Sequence, residues 1–180
     1  MGYKFSCLAS IPFKKDVDLY VFSIGDRVWK GGVLETVYKN FDDMATSFGP
    51  HAIMVEALSG QFHGEVVKQY LGENFAVLKN KMPALLITDA HPEHIRKDTM
   101  RLLIPLGEAH QHYPVIDNFL SDLGELARGE SDDLLKKLEQ SMESGSKSGD
   151  IIDINIPIVP GAVAVNLNEA VRHLRHWWNN

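Results

Sequence analysis

Residues 19–58 constrain the fold most, because they have the pattern of a strand, a glycine turn, a helix and a second strand. Residues 19–25 are apolar, β-branched and aromatic up to a closing glycine, which is typical of a buried strand. Residues 34–48 carry apolar side chains at helical spacing and are followed by a Gly-Pro pair. Residues 52–58 are apolar again. A crossover of this length predicts two parallel strands with a right-handed connection.

The junction between the first strand and the helix has an unusual composition. It consists of Trp29, Lys30, Gly31, Gly32 and Val33. Two glycines permit close approach of a ligand or a peptide backbone. A lysine in the first turn of a helix opposes the macrodipole by about 0.3–1 kcal/mol, whereas the N–H groups beside it would suit an anion. Two interpretations of Lys30 therefore stay open, a solvated lysine and an anion site.

The chain continues with alternating helical and extended patterns. Four further elements are predicted: a helix over 64–71, a strand over 84–88, a strand over 100–106 and a helix over 114–128. A short extended piece over 75–78 precedes the second of these, and His91-Pro92-Glu93 begins an inserted helical turn. Pro105 lacks an N–H, so its strand is expected at an edge of the sheet. The order of elements is βαβαββα.

This order and the junction resemble the thioredoxin-like family, whose motif Trp-Cys-Gly-Pro-Cys opens a helix directly after a central strand. The corresponding positions here are Trp, Lys, Gly, Gly and Val. Met82-Pro83 precedes the strand over 84–88, as the cis-proline of the family precedes its third core strand. The resemblance covers residues 18–129. It implies an α/β fold with a mixed sheet flanked by helices, in which the helix-start loop faces the proline loop.

The residues that carry the family's chemistry are missing. Thiol–disulfide exchange needs an attacking thiolate and a resolving thiol, but Lys30 and Val33 occupy those positions and Cys7 is the single cysteine. Cys7 is interpreted as a small buried hydrophobe on a strand. We therefore expect no redox activity, no catalytic residues and no cofactor. The resemblance then implies a non-catalytic protein-binding module, an adaptor or a chaperone-like protein.

The expected binding site is a groove between the two loops. It comprises Trp29, Lys30, Gly31, Gly32, Met82 and Pro83. An extended polypeptide would pair there through strand-like hydrogen bonds, with Trp29 and Met82 supplying apolar contact. The alternative is an enzyme or carrier that binds glutathione or another anion at the helix start near Lys30.

Histidines provide a second alternative, because the chain has eight of them. His91 and His94 are three residues apart, as are His173 and His176, and such pairs can share a metal ion. A zinc site needs three or four protein ligands, however, and the spacing of a specific motif is missing. We therefore expect scattered surface histidines and no metal, with a histidine-based metal-binding protein as the alternative.

Two segments lie outside the resemblance. Residues 1–17 are predicted to form an N-terminal strand or extension, and residues 130–180 a C-terminal extension with a flexible linker at 143–149. The extension begins with a charged helix over 131–142, continues with two β-like runs over 151–158 and 162–167, and ends with a helix over 168–178. The last helix carries Leu174, Trp177 and Trp178 on one broad face. This face packs on the chain's own sheet or binds a partner, including a second copy of the chain.

Composition sets limits on partners and compartment. A chain of 180 residues with 44% hydrophobic content can bury its own core, and a net charge of −6 argues against a nucleic-acid partner. No apolar run reaches the length of a transmembrane helix, and the N-terminus lacks the pattern of a secretory signal. A single cysteine favours a reducing compartment, so the cytoplasm is expected. Gly2 and Ser6 also fit the loose pattern for N-myristoylation.

Overall fold

A five-stranded mixed sheet forms the centre of this α/β protein. The computed structural model describes residues 2–17, 19–25, 33–50, 52–57, 59–72, 82–96, 99, 101–106, 115–128, 130–131, 133–134 and 136. The strands are β1 Gly2–Phe5, β2 Leu19–Ile24, β3 Ala52–Ala57, β4 Ala84–Thr88 and β5 Arg101–Pro105. Their order across the sheet is β1-β3-β2-β4-β5. The N-terminal segment therefore supplies an edge strand of the main sheet.

The strand directions confirm the predicted crossover. β2 and β3 are parallel, with Leu19 opposite Ala52, and β1 is parallel to the other side of β3. β4 runs antiparallel to β2, and β5 runs antiparallel to β4. Among the described strands, β5 is the outer one on its side, so Pro105 lies on an edge strand as predicted, where a missing N–H is tolerated.

The helix predicted over 34–48 is wrong as a single element. The structure has α1 Val33–Lys39 and α2 Phe41–Ser47, separated by Asn40, whose φ of −97° and ψ of 9° interrupt the helical geometry. Apolar spacing continues through the break, and this continuity explains why the pattern predicts one helix. Glu35 and the acidic side chains of α2 are exposed, as expected for a solvated face.

The next helix begins earlier than predicted. Residues 60–63 are helical, because α3 Gly60–Val66 starts after Ser59, whose side chain accepts a hydrogen bond from the Phe62 N–H at 3.1 Å. A π-helical turn, Val67–Leu71, follows without interruption and ends at Gly72, which has a positive φ of 58°. A short 3-10 turn, Pro92–His94, provides the predicted inserted turn after β4. Helix α4 is Ile116–Ala127, and beyond it Asp133, Leu134 and Lys136 are helical, within the charged helix predicted over 131–142.

Two apolar cores cover the two faces of the sheet. The first packs α2 and α4 on residues of alternating strand positions such as Val21 and Met54. The second packs α3, the π turn and the N-terminal segment on the intervening positions, such as Phe22 and Val55. This alternation follows from the period of two along a strand, and burial on both faces explains the continuous apolar sequence of β2.

Several sequence predictions fall outside the described residues. They are the extended piece over 75–78, the linker over 143–149, the strands over 151–158 and 162–167, and the helix over 168–178. Of the charged helix predicted over 131–142, Leu134 is buried in the first core. Among the described residues, no helix is long and apolar enough to cross a bilayer.

Candidate functional site

The predicted groove is described only in part. Met82 and Pro83 are described, whereas Trp29, Lys30, Gly31 and Gly32 lie outside the described residues, as do Leu174, Trp177 and Trp178. The Met82–Pro83 peptide bond is cis. Pro83 stands immediately before β4, where Ala84 is paired with Ile24, the last residue of β2. The chain that leaves β2 toward the predicted helix-start loop therefore departs beside Met82 and Pro83.

The backbone at this end of the sheet has unused hydrogen-bonding groups. The Pro83 carbonyl accepts a hydrogen bond from the Leu106 N–H at 2.8 Å, so the turn is anchored to the end of β5. Within the described part of the chain, the N–H and C=O of Met82 form no hydrogen bond. The Met82 side chain is half-buried and packs against the second core. The turn therefore combines a fixed position with a backbone donor and acceptor that another strand can use.

Buried polar groups lie at the same end of the sheet. Ser23 and Glu56 are opposite one another on β2 and β3, and both are almost fully buried. A Glu56 carboxylate oxygen lies 3.3 Å from Nζ of Lys4, which is half-exposed on β1. The Lys4 ammonium also lies 5.4 Å from the centre of the Phe41 ring. This ion pair offsets the cost of burying the Glu56 carboxylate on an otherwise apolar face of the sheet, and it links β1 to β3.

A pocket lies at the opposite end of the sheet, where β2 begins and β4 ends. Its volume is about 490 Å³. It lies between the segment that follows β1 and the loop after β4, and its lining residues are Phe13, Val17, Tyr20, Asp89, Ala90, His91, His94, Arg96 and Thr99. Small-molecule sites in proteins have volumes of about 300–1,000 Å³ and combine aromatic walls with a few polar groups, so this pocket has the size and composition of such a site.

His91 is the fixed centre of this pocket. Its ring Nε2 lies 3.0 Å from the Ile11 carbonyl oxygen, and its Nδ1 accepts a hydrogen bond from the Glu93 N–H at 3.2 Å. Because Nδ1 accepts, the proton resides on Nε2, which donates to Ile11. The side chain is 4% exposed. The expectation of surface histidines is therefore wrong for His91, which joins two distant segments of the chain.

Neighbouring elements hold the His91 loop in position. The Tyr70 hydroxyl donates to the Ala90 carbonyl at 3.1 Å, and the Gln69 side chain donates to the Pro92 carbonyl at 3.1 Å. Both residues belong to the π turn, so the extra residue per turn in this segment directs two polar side chains at one loop. The segment that follows β1, which forms the other wall, is held by α3. Its Leu8 N–H donates a hydrogen bond to the Glu65 carboxylate at 2.8 Å.

Burial shifts the pKa values of two tyrosines and one arginine at this end of the sheet. Burial, followed by the nearby charge of Tyr20, raises the pKa of Tyr70 well above its usual range, against a smaller opposing effect of Arg101. Burial likewise raises the pKa of Tyr20. Burial lowers the pKa of Arg101, while the charges of Tyr70 and Asp89 oppose that shift. At neutral pH, both phenols are therefore protonated hydrogen-bond donors.

The same loop contains the one group of metal-ligating side chains found among the described residues. His91, Glu93 and His94 offer one ligand atom each within 4.8 Å of one another. Neither ring nitrogen of His91 is available to a metal ion, because Nδ1 accepts a hydrogen bond from the Glu93 N–H and Nε2 donates one to the Ile11 carbonyl. Binding a metal ion would break one of these bonds and leave two ligands on an exposed turn. The geometry therefore favours a structural role for His91 over a metal centre.

Cys7 differs from its interpretation as a buried residue on a strand. It lies after β1, before the 3-10 turn Leu8–Ser10, and it is half-buried. Its sulfur lies 3.1 Å from the Ser10 hydroxyl. No second cysteine exists in the chain, so this thiol has no intrachain partner.

The pocket was missed by sequence reasoning because its walls come from separate segments. Phe13 and His91 are far apart in sequence, and neither belongs to a helix or strand with a recognisable period. The available signals were a histidine directly before a proline-led turn, in the position of an N-cap, and a phenylalanine followed by three charged residues. Comparisons with protein-family models, curated proteins and solved structures found no match to this chain.

Proposed function

We propose that this chain is a non-catalytic, thioredoxin-like protein-binding module that binds an extended polypeptide beside Met82 and Pro83. The observation that carries the proposal is the backbone of Met82, whose N–H and C=O form no hydrogen bond within the described residues and lie next to a turn anchored to β5. An extended peptide that pairs with these groups would gain main-chain hydrogen bonds, and alternate side chains would provide selectivity.

The topology supports the thioredoxin-like part of the proposal. Three parallel strands, β1, β3 and β2, are followed by antiparallel β4 and β5, with helices on both faces. This arrangement agrees with the βαβαββα order and the mixed sheet that the resemblance implies. The register of β2 and β4 also agrees with the expectation that the loop after β2 approaches the proline turn.

The absence of redox chemistry follows from the sequence. Positions 30 and 33 hold lysine and valine, and the lone cysteine lies in another part of the chain. We therefore propose a binding role without disulfide exchange, because the thiol that attacks and the thiol that resolves are both missing. The alternative of an anion-binding enzyme or carrier rests on Lys30, which lies outside the described residues, and it stays a prediction.

A peptide selection on the full chain tests the proposal. Peptides selected from a random display library should bind the purified protein, and Met82→Asp should weaken the tightest of them by about tenfold or more, since a charge replaces the apolar contact. Asp89→Asn, at the opposite end of the sheet, is the matched control and should leave this affinity unchanged.

Methylation of the peptide backbone tests whether the peptide pairs with Met82 as a strand. Methylating single backbone nitrogens of the selected peptide should abolish binding at alternate positions only, because successive N–H groups of a strand point to opposite sides. A uniform response to methylation, or equal affinity of the wild type and Met82→Asp, would move the binding surface elsewhere. Trp29→Ala then tests whether the helix-start loop contributes to the same site.

A further inference from the structure

We propose that the pocket around His91 is a second binding site, whose ligand is an aromatic ring that carries an anionic group. This site is separate from the peptide surface, because Tyr20 and Thr88 mark one end of the β2–β4 pair and Ile24 and Ala84 mark the other. The walls of the pocket are aromatic, and the side chains of Arg96, Tyr20 and His94 form no hydrogen bond within the described part of the chain.

The walls of the pocket are edges and faces of aromatic rings. The ring centre of Phe13 lies 4.9 Å from that of His94 and 5.6 Å from that of His91, and both pairs are edge-to-face. Tyr20 meets the other side of His91 at 5.7 Å, again edge-to-face. Aromatic rings prefer these offset and perpendicular contacts. A planar ring that enters the pocket would extend an arrangement that the protein already contains.

Phe13 is the side chain that a ligand would cover. It is 56% exposed, although it is a large apolar residue in contact with two other rings of the pocket. A single exposed apolar side chain is common on protein surfaces, but Phe13 lines the pocket and contacts two of its rings, so a ligand in the pocket would lie against it. Covering it with an aromatic ring removes apolar surface from water, whereas a bare anion would leave it exposed.

Arg96 supplies the charge that selects an anion. Its backbone is held, because its N–H donates to the Thr99 hydroxyl at 2.7 Å and its carbonyl accepts from Arg101 at 3.2 Å. Its side chain is exposed, and it forms no hydrogen bond or ion pair in the part of the chain that the structure describes. A guanidinium in this position can bind a carboxylate or a phosphate through two parallel hydrogen bonds.

Asp89 is the acidic residue in the lining, and its charge acts on Arg101. Arg96 is the arginine in the lining, so it is the cation that the anionic group of a ligand would meet. The Tyr20 hydroxyl and the ring nitrogens of His94 form no hydrogen bonds among the described residues. They are available as directional partners for polar substituents on the ligand.

Small probes test this proposal on the full-length chain by calorimetric titration. Phenyl phosphate and phenylacetate present the two kinds of anion on one ring, benzyl alcohol presents the ring alone, and inorganic phosphate presents the anion alone. Saturable binding of either ring-bearing anion, tighter than both partial probes, is the expected result. A preference between phenyl phosphate and phenylacetate then identifies the anionic group.

Two variants separate the contributions of ring and charge. Arg96→Gln should weaken binding of the preferred anion by about tenfold or more and leave benzyl alcohol unchanged, because a charge-assisted pair is lost. Phe13→Ala should weaken both probes. The matched controls are Lys68→Gln, an exposed cation on the π turn, and Val115→Ala, the other large apolar side chain exposed among the described residues. Both controls should bind as the wild type does.

Phe13 and Arg96 are both exposed, so their variants should keep the wild-type melting temperature, which a thermal scan checks. The proposal is overturned if inorganic phosphate binds as tightly as phenyl phosphate, or if neither ring-bearing anion binds at millimolar concentration. It is also overturned if folded Arg96→Gln and Phe13→Ala bind as the wild type does. These results leave the peptide-binding test unaffected, because that test uses Met82 at the other end of the sheet.

Discussion

The two sites proposed at the ends of the β2–β4 strand pair would use different means of recognition. Beside Ile24 and Ala84, the groups available to a partner belong to the backbone of Met82. Beside Tyr20 and Thr88, the available groups are side chains around a pocket of about 490 Å³. Backbone groups accept any extended sequence, whereas a pocket of fixed rings selects shape and charge. One strand pair can therefore support a permissive surface and a selective one.

The two ends also differ in the hydrogen bonds that hold their loops in place. The turn at Pro83 is held by one backbone hydrogen bond from Leu106, at the edge of the sheet. The His91 loop is held by side chains from the N-terminal segment and from the π turn. Substitutions of single side chains should therefore disturb the pocket end more readily than the proline end.

The largest loss of stability is expected for a substitution midway along β2, between the two proposed sites. Phe22 is fully buried in the middle of β2, opposite Leu86, and its ring lies 5.1 Å from that of Tyr70. Phe22→Ala should lower the free energy of unfolding by about 3–5 kcal/mol, because it removes apolar contacts and leaves a cavity. Denaturant unfolding measures this loss, and both binding activities should decline together. Loss of one activity alone would show that the ends are not coupled through the centre of the sheet.

A smaller and more local effect is expected for His91→Ala. The substitution removes the hydrogen bonds to Ile11 and from Glu93, and buried hydrogen bonds contribute about 0.5–1.5 kcal/mol each, so about 1–3 kcal/mol of stability should be lost. Binding of the aromatic anion should disappear, while peptide binding at Met82 persists. His94→Ala, at the exposed end of the same turn, is the control and should cost less stability. Equal effects of the two variants would contradict the structural role of His91.

The smallest effect is expected for Tyr70→Phe. It removes the hydrogen bond to the Ala90 carbonyl and should cost about 1 kcal/mol at neutral pH. Burial raises the pKa of Tyr70, so the folded protein keeps this proton at a pH where the unfolded chain releases it.

The pH dependence of this variant follows from that shift. The contribution of Tyr70 to stability is complete below the unfolded pKa of about 10 and is lost as the pH rises above it. Urea unfolding at pH 8 and at pH 11 should therefore show a smaller decline for Tyr70→Phe than for the wild type. A decline of the same size in both proteins would place the alkaline sensitivity in other groups.

The elements that sequence predicts best are those with a simple period and continuous burial. The apolar runs of β2 and β4 gave strands within a residue of their observed bounds, and the length of the crossover predicted the parallel pair of β2 and β3. Capping was harder to predict. Helix α3 begins after Ser59, four residues earlier than expected. An N-cap depends on a single side chain, so hydrophobic periodicity does not predict its position.

The helix break at Asn40 shows a different limit of sequence analysis. Apolar spacing continues from Val37 through Phe41 to Met44, so the pattern favours one helix although Asn40 leaves the helical region of φ and ψ. Hydrophobic periodicity reports which side of the chain faces the core, and both helices turn the same side to the sheet.

What the sequence determined by itself was local: the strands and their crossover, the presence of a single cysteine and the position of Met82-Pro83 before β4. What only the tertiary structure decided was the pairing of segments distant in sequence. The hydrogen bond from His91 to Ile11 and the contacts of the π turn with the His91 loop depend on it, as does the guanidinium of Arg96, which is unpaired among the described residues. The physical reason is that a helix or strand has a period that neighbouring residues record, whereas a pocket between segments is specified by packing alone.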